Sequence, residues 1–402
     1  MTESSGPVCW TVQRICTCKG FLSEKEFSLY LHIPFCFEKC DYCDFYSVPV
    51  KKSGEQWDSL ADRYIETLLL ETKRRLIPYG SSFHIPSIYI GGGNPALLGA
   101  SGISRLLNGL LQLIDASPRE ITIEANPETI TQSFLHSCSD SGITRLSLGL
   151  QSFDESIRKA SGRQGTITMQ QLYQAAKVFG RCLSFDLISG LPGQDEKLLL
   201  RDIEKAISLE PGHISLYALT LEPGTPLAQR YRSCEDTADR LWLLGRDALI
   251  KAGYKQYEIS NFALAPAYQC IHNVRYWTMK NWIGIGPSAS GTIIHNDGTG
   301  CRFTYPPNLD AFLSTASLDG TPAAVLHEEL DKMTMLKETI LMGYRCKEGP
   351  DPGLFSMRFG KTIQETIPKT LAKWQNYKEN TIMNFLNNFL LDVFLEVENN
   401  RV

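Results

Sequence analysis

The sequence predicts an α/β fold: an open or closed (β/α)6 barrel, followed by a small, mostly helical C-terminal unit. Three observations predict it. Six short apolar runs alternate with stretches of helical spacing between residues 28 and 222, and strands alternating with helices form right-handed parallel units. A tight cysteine array follows directly on the first run. Polar and glycine residues fall at or near the ends of five of the runs, where such folds gather their chemistry.

The elements follow in order. Residues 1–27 read as a loose arm. Ser28-Leu-Tyr-Leu-His-Ile33 is the first strand, and Pro34 forces the exit into the cysteine loop. Apolar residues at helical spacing, among them Tyr64, Leu68 and Leu69, mark a helix from about Trp57 to Leu76. Further strands are expected at Ser87–Ile90, Glu120–Ala125, Arg145–Leu150, Leu183–Ile188 and His213–Ala218. Helices are expected at Ile103–Leu113, Gln170–Phe179 and Leu198–Leu209. Past residue 222 the alternation fades at Glu222-Pro-Gly-Thr-Pro226, and a helix runs from Asp236 to Ala252. The organisation expected is therefore an arm at 1–27, a barrel core at 28–222, an extension at 223–299 and a C-terminal domain at 300–402, helical at Leu336–Tyr344 and Ile382–Val397.

Composition narrows the function. Of 402 residues, 43% are hydrophobic, ample for a buried core. A net charge of −4 argues against a nucleic-acid surface. No apolar run reaches membrane-spanning length and no leader pattern is present, so a cytoplasmic protein without an integral membrane segment is expected. In that compartment the 12 cysteines stay mostly reduced, and a tight group signals metal rather than a disulfide. Cys9, Cys16 and Cys18 read as scattered thiols.

The array is Cys36, Cys40 and Cys43, a C-x3-C-x2-C spacing. Two chemistries suit it. Three thiolates can hold three corners of a cubic iron–sulfur cluster, leaving the fourth iron open to a small molecule. A structural zinc ion is the other, with His32 as a further donor, although zinc usually takes four ligands in paired sets. Gly91-Gly92-Gly93 permits close backbone approach to a ligand, or merely a tight turn. Glu124 and Asp186 are carboxylates at strand ends, costly there unless they meet a donor. Gln151 and Arg163 suit hydroxyl and carboxylate groups, or a solvated loop.

The spacing, with Tyr42 just before the last cysteine, resembles the signature of the radical S-adenosylmethionine (SAM) superfamily. From Tyr30 to about Gly291 the chain is similar to the branch that includes oxygen-independent coproporphyrinogen III oxidase. The matching pieces are Leu29-Tyr-Leu-His-Ile-Pro-Phe-Cys36, the glycine run, Ile123-Glu-Ala-Asn-Pro127, Leu146-Ser-Leu-Gly-Leu-Gln-Ser-Phe153, Asp186-Leu-Ile-Ser-Gly-Leu-Pro-Gly193 and Glu222-Pro-Gly-Thr-Pro226. The resemblance implies a partial (β/α)6 barrel, a [4Fe-4S] cluster on the three cysteines, and SAM bound at the open iron and cleaved reductively. It places Tyr30, Tyr42, Gly93, Asn94, Glu124, Gln151, Arg163 and Asp186 around the SAM.

Within the branch, the oxidase carries a fourth cysteine where this chain has Phe45. Tyr257-Glu-Ile-Ser-Asn-Phe262 and His272-Asn-Val-Arg-Tyr-Trp277 instead resemble the HemW family of haem chaperones. That likeness implies binding of haem, transfer to acceptor proteins and an electron donor as further partner. His272 is the candidate haem ligand, or a structural histidine beside Asn273. Tyr276 and Trp277 are candidates to stack on the macrocycle, or core aromatics. The alternative is an enzyme that oxidatively decarboxylates coproporphyrinogen III to protoporphyrinogen IX. Three departures from the usual pattern stand out: Asn94-Pro95-Ala96 for Thr-Pro-Ser, and Gly165 and Ser290, each for a histidine.

Overall fold

The computed structural model describes residues 26–51, 54–80, 83–114, 117–232, 235–317, 323–375 and 386–399. The expected N-terminal arm, up to residue 25, and Cys9, Cys16 and Cys18 lie outside the described residues, as do residues 382–385 of the last expected helix.

Six strands form the centre of one sheet: β1 (Ser28–Ile33), β2 (Ser87–Gly92), β3 (Glu120–Ala125), β4 (Arg145–Gln151), β5 (Leu183–Ser189) and β6 (His213–Ala218). They are parallel and lie in sequence order. Each was legible to within two residues because apolar residues alternate along it, broken only at Leu187-Ile188 of β5, and a strand turns successive side chains to opposite faces. On one face Leu29, Ile88, Ile121, Leu146, Phe185 and Ile214 are sealed in a single core beneath the helices. The other face carries Tyr30, Tyr89, Glu124, Ser147, Asp186 and Ser215, which touch one another across the strands.

The helices explain the apolar face. In α1 (Glu55–Leu76) Trp57, Ala61, Tyr64, Ile65 and Leu68 are buried at steps of three and four. The stretch expected at 103–113 begins earlier, as α2 (Gly99–Leu113). Next come α3 (Gln132–Asp140), α4 (Glu155–Ala160) and α5 (Met169–Phe179). A capping box of Thr168 and Gln171 starts α5. The helix α6 (Glu196–Ser208) starts where the Asp195 side chain accepts the Leu198 N–H. It is followed by α7 (Pro226–Arg230) and α8 (Glu235–Lys251).

Beyond residue 251 the sheet continues in a way the sequence did not suggest. Six more strands extend it: β7 (Lys255–Gln256), β8 (Asn261–Ala263), β9 (Trp282–Ile285), β10 (Ser290–Ile294), β11 (Gly300–Thr304) and β12 (Leu326–Leu330). The order is β12-β11-β10-β9-β1-β2-β3-β4-β5-β6-β8-β7, so the sheet is open, with β7 and β12 at its two edges. These strands are short, β9, β10 and β11 each contain a glycine, and only β9 runs parallel to its barrel neighbour, β1. The hairpin between β10 and β11 did carry a signal in Asn296-Asp297-Gly298, whose turn closes with His295 N–H donating to Thr299 O at 2.8 Å.

Cys301, Phe303, Tyr305, Phe312, Ala323 and Val325 still belong to the barrel core. A second apolar cluster gathers around Met335, Ile340, Phe355, Phe389 and Val393, and takes in Met279 and Ile294 from the preceding segment. The helix α9 (Ile271–Trp277) is the short element that carries the histidine–tryptophan motif.

A buried ion pair ties α1 to the segment after β11. Arg75 Nε donates to Glu71 Oε1 at 2.7 Å, the Tyr305 hydroxyl donates to the same oxygen at 2.8 Å, and Ala323 N–H donates to Glu71 at 3.1 Å. Removing one partner leaves a buried charge uncompensated. Arg75→Met is expected to cost about 3–5 kcal/mol of unfolding free energy, read by denaturant titration.

Candidate functional site

The cysteine loop leaves the C-terminal end of β1 and is fastened on several sides. Phe35–Cys36 pairs with Val48–Pro49, and Val50 N–H donates to Cys36 O at 2.8 Å. Asp41 N–H donates to Ser161 O at 3.2 Å, and Asp41 O accepts from Leu227 N–H at 2.8 Å. His32, which was also a possible zinc donor, has Nδ1 3.0 Å from the Tyr30 hydroxyl and Nε2 2.9 Å from Tyr46 O. Its Nε2–H donates to the Tyr46 carbonyl, which leaves the one lone pair, on Nδ1, facing the Tyr30 hydroxyl.

Cys36, Cys40 and Cys43 are free thiols, each half-buried. Burial, then the nearness of Cys43 and Cys40, pushes the Cys36 thiol up to about 11. Cys43 is raised too, by burial first. Such thiols must lose protons to a metal in order to bind it. Among the described residues no three cysteine, histidine or acidic groups converge as ligands of one ion, which is what a structural zinc would need. A cubic cluster asks for a different arrangement, because each thiolate meets its own iron. The three thiols share one loop, and Cys36 feels the nearness of both Cys43 and Cys40, which is the donor set such a cluster takes.

Arg163 stands beside this loop. Its Nη1 lies 3.8 Å from Cys40 Sγ and 3.4 Å from the Tyr42 hydroxyl, while Nη2 donates to Asn126 Oδ1 at 2.8 Å and to Gly149 O at 2.6 Å. Its Nε is buried without a partner. The guanidinium therefore places a fixed positive charge next to thiolates and next to any anionic group bound there.

Across the mouth are two carboxyls. Glu124 Oε1 accepts from the Tyr89 hydroxyl at 2.7 Å, and Oε2 accepts from Gly92 N–H at 3.1 Å. Burial and then the charge of Asp186 push the Glu124 carboxyl up to about 7, against the pull of Tyr89, Gly92 and Arg145. Asp186, two strands further on β5, accepts from Ser147 of β4 at 3.0 Å and is raised by burial. Two acids held in this way are poised for a cation or a pair of hydroxyls.

The glycine run has a steric reason. Gly92 has φ 113°, and a Cβ there would lie 2.6 Å from the His32 ring. A Cβ on Gly93 would lie 2.6 Å from Phe35 O. Gln151 ends β4 at a bulge with φ 65°.

Two predicted residues stand apart from the mouth's open space. Asn94 is buried and turned inward. Its Nδ2 donates to Thr129 Oγ1 at 3.2 Å, and its Oδ1 accepts from Asn126 N–H at 3.3 Å, so it ties the end of β2 to the end of β3. His272 lies at the opposite, N-terminal end of the sheet, 1% exposed. Its Nδ1 is 3.0 Å from Ser87 Oγ and its Nε2 is 2.9 Å from the Tyr276 hydroxyl. Both ring nitrogens are engaged, so no lone pair is free for an iron. Trp277 is covered by Arg345, 4.4 Å from its ring.

Sequence reasoning missed Tyr89, Asn126, Ser147 and Ser215, which hold the predicted site residues in place. Tyr89 shares the alternating register of Tyr30 and Glu124, and that period was the available signal.

Comparisons with known proteins can now be set beside this geometry. Residues 30–206 match the family model of the Radical SAM superfamily. The heme chaperone HemW of Escherichia coli (strain K12) is 38% identical over 298 residues, covering 73% of this chain and 77% of that protein. The heme chaperone HemW of Lactococcus lactis is 32% identical over 369 residues, 88% of this chain and 91% of that protein. Among solved structures, coproporphyrinogen III oxidase (HemN) from Escherichia coli, described as a radical SAM enzyme, superposes with a TM-score of 0.74 at 21% identity, covering 92% of this chain and 90% of that one. That likeness is one of fold: a partial (β/α)6 barrel of the radical SAM type.

Tyr89→Phe removes one of the two donors to Glu124. Its carboxyl is then expected to titrate about one pH unit above wild type, followed by carbon-13 NMR of the glutamate carboxyls in cluster-free protein.

Proposed function

Since this chain belongs to the HemW family of the radical SAM superfamily, we propose that it binds haem and passes it to acceptor proteins. In this reading Cys36, Cys40 and Cys43 hold a [4Fe-4S] cluster, and its remaining iron is open to SAM. The observation that carries the reading is the meeting at one end of the sheet of three free thiols, the Arg163 guanidinium and two buried carboxyls.

When bound, the cluster supplies one-electron chemistry to SAM, and an external electron donor is required. The chain's own residues bind and orient. Glu124 and Asp186 receive the ammonium and ribose hydroxyls of SAM, with Gln151 at the ribose. Arg163 offsets the negative charge of its carboxylate and of the thiolates. Tyr30 and Tyr42 wall the site. Gly93 gives the ligand backbone access, and Asn94 shapes the same loop from behind.

The decarboxylase reading is not favoured. Phe45, 64% exposed, stands where the oxidase-like relatives carry a fourth cysteine, and it offers no donor atom. His272 is not assigned to the haem iron, since its imidazole is already bonded at both ends. Among the described residues no helix is long and apolar enough to cross a membrane.

The deciding test is anaerobic reconstitution with iron and sulfide, followed either by haem or by coproporphyrinogen III with SAM and a reductant. Stoichiometric haem binding without protoporphyrinogen is expected. Formation of protoporphyrinogen would overturn the chaperone reading.

A pH dependence follows as well. Glu124 is faced by Asp186, Arg145 and Tyr89, and by Tyr30, Tyr217 and Tyr276. With its carboxyl near 7, SAM affinity should rise roughly tenfold between pH 6 and 8 as the acid ionises. Glu124→Gln should flatten that rise. The linked effect on folding has the opposite sign: the ligand-free protein loses stability as pH climbs from the ordinary carboxyl range through about 7, because the folded form holds the proton longer.

A further inference from the structure

We propose that His272 is a positioning residue for the SAM site, acting through the Tyr89 ring to hold the Glu124 carboxylate. The proposal rests on the reading that Glu124 contacts SAM.

Four observations support it. First, α9 is pinned to the floor of the sheet by the first residue of β3. The Glu120 carboxylate accepts Ile271 N–H at 2.8 Å and His272 N–H at 3.0 Å, and Cys270 Sγ lies 3.4 Å from it. Second, the imidazole cannot turn. Its two nitrogens are engaged by Ser87 and by Tyr276, and Ser87 is itself 2.7 Å from Ser28 Oγ on β1. Third, the imidazole lies against the Tyr89 ring, with centroids 5.1 Å apart and planes at 35°. Tyr276 meets its other side edge-on, and Trp282 backs Tyr276 in the same manner. Fourth, the far end of Tyr89 is the hydroxyl that donates to Glu124 at 2.7 Å.

Tyr89 thus works as a rod. Its foot rests on His272 at the closed end of the sheet and its tip sets the orientation of a carboxylate at the open end. Burial, with Arg275 nearby, holds the His272 imidazolium form down to about pH 3. The ring therefore stays neutral, and its bonds to Ser87 and Tyr276 persist across the working pH range. This gives the histidine of the motif a job that rests on its flat face against Tyr89, and its two bonded nitrogens leave no lone pair for a metal.

The test is a double-mutant cycle on SAM affinity, measured by equilibrium dialysis on anaerobically reconstituted protein. His272→Ala and Tyr89→Phe are each expected to weaken SAM binding about tenfold. The double variant should be no weaker than Tyr89→Phe alone, because the histidine acts only through that hydroxyl. His272→Phe, which keeps a ring beneath Tyr89, should recover most of the affinity, and His272→Ala should bind haem at wild-type stoichiometry. Should the alanine variant not fold, His272→Asn replaces it in the same cycle.

Losses that multiply to about a hundredfold, an unchanged affinity in His272→Ala, or loss of haem from that variant would each overturn the inference. Glu124→Gln separates the two levels. If it leaves SAM affinity unchanged, the SAM-site reading fails and the inference falls with it. If it weakens binding while the cycle is additive, the inference alone fails.

Discussion

A strand's pleat allows its side chains two directions only, and the six central strands use them for opposite purposes. Toward the helices they send Leu29, Ile88, Ile123, Leu148, Phe185 and Leu216, all fully buried. Burying each contributes roughly 1.5–3 kcal/mol. Toward one another they send Tyr30, His32, Tyr89, Glu124, Ser147 and Asp186. A one-residue slip of any strand would exchange the two sets. The apolar face thereby fixes the register, and the register fixes which polar groups meet at the mouth.

Those polar groups are not placed for stability. Glu124 and Asp186 both have carboxyls raised by burial, and Glu124 is raised further by the charge of Asp186. Tyr89, Gly92 and Ser147 offset part of that cost without removing it. Cys36 and Cys43 are likewise raised, while Arg163 keeps a fixed cation beside Cys40. Such an arrangement leaves work for a ligand: a cation to meet the acids, and metal to draw protons from the thiols.

Much of this was legible in the chain. The central strands were readable because apolar residues alternate along nearly all of their length, and the cysteine loop because three thiols in eight residues leave few chemistries open. The later strands were not. Trp282–Ile285 is four residues with a glycine inside it, too short to show a period. The roles of Asn94 and His272 were hidden for a different reason. Asn94 is held by Thr129, 35 residues away, and His272 by Ser87, 185 residues away. A side chain's type tells what it is able to bond; only the folded chain tells what has already claimed it.

The claim on which the rest depends is that three thiolates from one loop hold an iron–sulfur cube with one iron left for an outside ligand. Electron paramagnetic resonance of the reduced, anaerobically reconstituted protein tests it directly. About four irons per chain, a cubane signal that changes when SAM is added, and loss of both iron and signal after replacement of Cys36, Cys40 and Cys43 are the predicted result. A protein that takes up no iron, or one whose signal is indifferent to SAM, would contradict the account.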